Sequence, residues 1–82
     1  MMYVEESQGV SIRDILSRRD PHGYYVIPIK TEAVNTSMNI LRKPGIILIE
    51  YGDLALVKTR SRSMAEKLTR YFARRNLLAE DI

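Results

Sequence analysis

Residues 46–60, IILIEYGDLALVKTR, constrain this chain more than any other stretch. Two runs rich in Ile, Leu and Val flank Gly52-Asp53, the two-residue pattern of a tight β-hairpin. Pairing across that turn sets Ile49 opposite Leu56 on one face and Leu48 opposite Val57 on the other. Both faces are therefore apolar in the middle. A hairpin with one wet face alternates apolar and polar residues, so this pair is expected to be central in a sheet or to have its second face covered by a partner subunit.

Residues 24–30, YYVIPIK, carry the aromatic and β-branched side chains of another strand. Pro28 has no N–H for a sheet ladder, so this strand is expected at an edge, or else with Pro28 where its missing N–H faces away from a partner. Between it and the hairpin, TEAVNTSMNILRKPG changes period. Val34, Ser37, Met38 and Leu41 fall at i, i+3, i+4 and i+7, Thr31 stands where an N-cap belongs, and Pro44-Gly45 stops the run. This predicts one amphipathic helix whose propensity is modest because of Asn35, Thr36, Ser37 and Asn39. Such a crossover is long enough to set the strands on either side of it parallel, with the hairpin return adding an antiparallel one.

Two further helices close the pattern. The first has Ser11 and Asp14 as cap and N3 residue, Val10 and Ile15 as a hydrophobic staple, and Ile12, Ile15 and Leu16 on one face. It is expected to end near Arg19, before a type I turn at Asp20-Pro21-His22-Gly23. The last starts with Ser63-x-x-Glu66 as a capping box or with Ser61 as the cap, and aligns Met64, Ala65, Leu68, Tyr71 and Phe72 in one stripe. Asn76 suits the left-handed position after it, with Leu77 folding back on the stripe and LLAEDI as a short docked tail. Tyr3 to Glu5 is a possible first strand. The expected fold class is α+β, a small mixed sheet with helices packed on it in the order (β)αβαββα, and residues 1–82 as a single globular domain.

Composition then bounds function. Hydrophobic residues at 45% and charged residues at 28% describe a chain that folds. The absence of cysteine excludes disulfides and thiolate metal sites. The N-terminal MMYVEESQGV lacks the basic and apolar regions of a secretion signal, and no apolar run approaches a membrane span, so a cytoplasmic location and no membrane partner are expected. Asn35-Thr36-Ser37 then has no meaning as a glycosylation signal. His22, the single histidine, is a turn residue with no second histidine or cysteine beside which to build a metal or nucleophilic site. The acids Glu5, Glu6, Glu50, Asp53, Glu80 and Asp81 lie at termini or at the hairpin turn, and no nucleotide or catalytic motif is present. No enzyme activity, cofactor or metal is expected.

One constellation points to a ligand. The formal charge is +3, but Lys58, Arg60, Arg62, Lys67, Arg70, Arg74 and Arg75 face Glu66 alone, so residues 58–75 carry +6 and the remainder −3. Lys58, Arg60 and Arg62 alternate in extended chain and so point to one side, and Lys67, Arg70 and Arg74 add a helical row. The free N–H groups at that helix start would join them against a phosphate. Nine of the thirteen cations are arginines, whose fork suits bidentate phosphate contacts, and Tyr24, Tyr25 and Tyr51 are available for base stacking or for packing. A solvated helix face explains the same charges, with Glu66-Arg70 as an ordinary i,i+4 pair.

A helix running into GIILIEYGDLALVKT looks like the recognition helix and wing of a winged helix-turn-helix, but only one helix fits between Lys30 and Ile46 where that motif needs two. The layout of helix, strands and C-terminal helix resembles small ribosomal and signal-recognition-particle proteins that bind structured RNA, and this likeness of arrangement implies RNA over DNA. The expected function is non-catalytic nucleic-acid binding through Lys58, Arg60, Arg62, Lys67, Arg70 and Arg74. The alternative is a homo-oligomeric interaction module, a homodimer through the apolar 46–57 hairpin.

Overall fold

The computed structural model describes residues 12–79. The strand expected at Tyr3 to Glu5, the Ser11 cap, the Val10 staple and the end of the tail lie outside the described residues. The elements are α1 (Ile12–Ser17), β1 (Tyr25–Lys30), α2 (Glu32–Thr36), α3 (Met38–Leu41), β2 (Ile47–Tyr51), β3 (Leu54–Thr59) and α4 (Arg62–Arg74). The α+β class is as the sequence predicts, and the order of the described elements follows the expected pattern except that two short helices stand where one was expected.

The sheet has three strands in the order β1-β3-β2 and is antiparallel throughout. The hairpin register is the expected one, with Ile49 opposite Leu56 and Leu48 opposite Val57. Gly52 has φ +63 and Asp53 keeps a negative φ, as in a type II′ turn that follows the strands' own twist. The sheet is therefore not the mixed one expected from the sequence. β1 and β2 do run the same way, as a crossover permits, but β3 lies between them and pairs antiparallel with each. Among the described residues only β3 is central, and β2 is an edge strand with no neighbour on its outer side.

Period-2 alternation divides the sheet. Tyr25, Ile27 and Ile29 of β1 and Ala55, Val57 and Thr59 of β3 are all buried on one face. Against this face pack Ala65, Leu68, Thr69 and Phe72 of α4, Ala33 and Val34 of α2, Leu41 of α3 and Ile15 of α1. The two buried threonines are satisfied: Thr69 Oγ1 donates to the Ala65 carbonyl at 2.7 Å, and Thr59 Oγ1 accepts from the Ser61 amide at 3.2 Å. The opposite face carries three cross-strand rows, Val26-Lys58-Ile47, Pro28-Leu56-Ile49 and Lys30-Leu54-Tyr51.

Helix ends follow local chemistry. Ser61, not Ser63, caps α4, its Oγ accepting from the Met64 amide at 3.1 Å. At the other end Asn76 takes φ +60, the Leu77 amide reaches the Phe72 carbonyl at 2.8 Å and the Asn76 amide reaches Ala73 at 3.0 Å. That pair of bonds is a Schellman motif. It turns the chain so that the Ala79 amide donates to the Pro28 carbonyl and the Leu77 carbonyl accepts from Lys30, both at 2.9 Å. The tail thus covers the outer side of β1, where proline offers no N–H. In place of the one helix expected after Thr31, α2 and α3 are separated by Ser37 at φ −124, ψ 20. Thr31 itself is helical and makes no side-chain cap bond. Four poor helix formers among the five residues 35–39 give the continuous helix little advantage over a break that lets Val34 and Leu41 both reach the core.

Candidate nucleic-acid interface

The basic end is built from where β1 starts and β3 stops. Register places Tyr25 beside Thr59 and Val26 beside Lys58, so Tyr24 and Arg60, the residues just beyond, become neighbours. The Arg60 guanidinium carbon lies 4.5 Å from the centre of the Tyr24 ring and Lys58 Nζ lies 5.8 Å from it. Both cations occupy the sheet face opposite α4.

Asp20 organises this corner. Its Oδ1 accepts from the His22 amide at 2.9 Å and the Tyr24 amide at 2.8 Å, and its Oδ2 accepts from Lys58 Nζ at 3.0 Å. The Gly23 amide closes the expected turn on the Asp20 carbonyl at 2.9 Å. The Tyr24 amide, then Lys58 and the His22 amide, hold the Asp20 carboxyl below its ordinary range against the opposing pull of burial. Lys58 is thereby paired with an anion, and its side chain is only 23% exposed.

On the helix side of the same end, the buried Tyr25 hydroxyl accepts from Arg19 Nη2 at 2.9 Å, and Arg19 also lies 4.9 Å from the ring centre. Hydrogen bonding from Arg19 and then from Arg62 lowers the Tyr25 hydroxyl's pKa. Arg62 further donates to the Leu16 carbonyl at 3.3 Å, tying the start of α4 to the end of α1. Lys58, Arg60 and Arg62 therefore do not share one direction: β3 ends at Thr59 and Arg62 already belongs to a helix. Lys67, Arg70 and Arg74 form an exposed row on the outer side of α4, with Arg70 paired to Glu66 at 2.9 Å. The sheet and α4 separate that row from Lys58 and Arg60.

Two cationic groups thus replace one continuous surface. The sheet-end group includes Arg19, which the sequence presents only as one arginine among nine. It also borders a shallow groove lined by Tyr24, Gly45, Ile46, Ile47 and Arg60. The signal for this grouping was the pairing of β1 with β3, and a reading that set β1 beside β2 hides it. Of the tyrosines, Tyr25 is core, Tyr24 is half-buried beneath Arg60 and Tyr51 is exposed. Glu32, Glu50 and Asp53 are exposed at the opposite end of the sheet, where Lys30 ends β1, while Asp20 is the acid at the basic end.

Among the described residues no group of three or more His, Asp or Glu is arranged to hold a metal ion, and no helix is long and apolar enough to cross a membrane. His22 is exposed in its turn. Compared with known proteins, the chain matches no family model, no curated protein and no solved structure.

Proposed function

We propose that this protein binds nucleic acid without catalysing a reaction, in the cytoplasm, with RNA as the favoured ligand. The observation that carries the reading is the cationic end of the sheet, where Arg19, Arg60 and Arg62 gather around Tyr24 and Tyr25. A polyanion approaching that end meets cations already held in place by aromatic faces and carbonyls, which reduces the side-chain entropy lost on binding. The exposed Arg60 guanidinium, held against Tyr24 beside a groove, offers a planar face to an unpaired base, which looped or single-stranded RNA presents and duplex DNA does not. Lys67, Arg70 and Arg74 extend the contact along the backbone of a longer strand. Lys58, neutralised by Asp20, acts mainly by fixing Tyr24 and Arg60.

Fluorescence titration with a labelled RNA hairpin, a single strand and duplex DNA at low and moderate salt tests this. The expected result is tighter binding to RNA with an unpaired loop, weakening steeply with salt. The Arg60→Ala/Arg62→Ala variant should lose most of the affinity and lower the salt slope by roughly 0.7–0.9 for each phosphate that is no longer neutralised. No binding to any probe at low salt overturns the reading.

A second reading has its own observation. Ile47, Ile49 and Tyr51 are 40%, 39% and 69% exposed on a single strand. Three large apolar side chains in a row on a strand that is an edge among the described residues favour an interaction module that assembles through the 46–57 hairpin.

A further inference from the structure

We infer that two copies of this chain associate through β2, paired antiparallel to itself across a two-fold axis at Ile49, so that two three-stranded sheets become one of six strands. This gives a geometry to the assembly reading and is independent of the nucleic-acid reading.

The first argument is the contrast between the sheet's two edges. Proteins blunt an edge strand with proline, inward-pointing charge, a bulge or a covering segment. The β1 edge has two of these devices, Pro28 and the covering residues 77–79. On the β2 edge, Ile47–Tyr51 contains no proline and no lysine, pairs with β3 in unbroken register and meets no covering segment among the described residues; its lone charge, Glu50, lies on the Ala55 face and is exposed. In an antiparallel ladder alternate residues turn their N–H and C=O groups to the neighbour and the rest turn outward. With Tyr51 and Leu54 closing the two-residue turn, Leu48 and Glu50 are the residues whose backbone groups face outward.

The second argument is self-complementarity. A five-residue strand overlaps its own copy completely only when the axis passes through its middle residue, here Ile49. Leu48 then exchanges main-chain bonds with Glu50 of the other copy, and no like charges stand opposite one another. On the exposed face Ile49 meets Ile49 and Ile47 meets Tyr51, so the three exposed apolar residues of each copy cover those of the other.

Charge is the third. β2 is preceded by the exposed cations Arg42 and Lys43 and ends among the exposed anions Glu50 and Asp53. Antiparallel self-pairing brings the Gly52-Asp53 turn of each copy beside Gly45 of the other, two residues from Lys43. An isologous interface repeats every contact, so the attraction acts twice. A partner of unrelated sequence has no such reason to match.

One strand pair with three apolar side chains from each copy is a small interface, so association belongs in the micromolar range. Sedimentation of the full chain from micromolar to several hundred micromolar should show a monomer–dimer equilibrium. Asp53→Lys should weaken it about tenfold, and Lys43→Glu combined with Asp53→Lys should restore it. Ile49→Lys should give a folded monomer by circular dichroism. Because the native sequence has no cysteine, Ile49→Cys can cross-link only through position 49. It should oxidise to a covalent dimer far faster than a Lys67→Cys control on the outer side of α4. The Arg60→Ala/Arg62→Ala variant should dimerise as the native chain does, which keeps this outcome separate from nucleic-acid binding. A monomer at every concentration, a dimer that survives Ile49→Lys, or equal oxidation of the two cysteine variants overturns the inference.

Discussion

Ser37 sits between α2 and α3 with its hydroxyl buried and its Oγ without a hydrogen-bond partner among the described residues, while its carbonyl accepts from the Ile40 and Leu41 amides at 3.0 Å each. A buried hydroxyl that gives up water and gains nothing costs free energy, whereas its backbone role survives truncation to alanine. Ser37→Ala is therefore expected to stabilise the protein by about 1 kcal/mol, read as a higher urea midpoint at unchanged slope. Asp20 is the opposite case, a carboxylate with every oxygen engaged. Its folded pKa lies below the ordinary 3.8, so its contribution is fully present above the unfolded value and is lost as pH falls through the folded one. Asp20→Asn keeps an amide-accepting oxygen but cannot pair with Lys58. The gap in Tm between the native chain and this variant should be widest near neutrality and close as pH drops below the ordinary aspartate range; a gap independent of pH would refute the role of the charge.

At the level of elements, the strands and the last helix were legible because their signals are local. Gly52-Asp53 between apolar runs marks a hairpin, and Asn76 after an apolar stripe marks a helix stop, and both residues adopt the backbone their chemistry favours. The cap was ambiguous in sequence, since Ser61 and Ser63 each precede a helical run, and only the φ/ψ of Ser61 places it outside the helix. Ser61→Ala should lower stability by about 1 kcal/mol, while Ser63→Ala should leave it nearly unchanged. Asn76→Ala should cost about 1–2 kcal/mol through its left-handed backbone, and Asn76→Gly should be tolerated. Thermal unfolding of these four variants checks both ends of α4. The break at Ser37 was not legible, because periodicity records which residues face the core and not whether the backbone between them stays helical.

For the whole molecule, the two sheet edges decide much of the behaviour. A chain ending at Asn76 would lose the two backbone bonds to β1 and uncover that strand's outer side. It is expected to melt at lower temperature and to aggregate as concentration rises, which light scattering would reveal; a truncated chain as soluble and stable as the native one would show the tail to be dispensable. The basic residues show the same dependence on global arrangement. Their number and types, the hairpin register, the apolar stripe of α4 and the α+β class follow from the sequence alone, because turn chemistry and hydrophobic period act over a few residues. Tertiary structure alone decided that β3 lies between β1 and β2, that Arg60 stacks on Tyr24 and Arg19 reaches Tyr25, and that Lys67, Arg70 and Arg74 stand apart from Lys58. Strand order depends on contacts between residues more than thirty positions apart, as in Tyr25 with Thr59, and those are chosen by which arrangement buries Tyr25, Ile27, Val57 and Phe72 together rather than by any local preference.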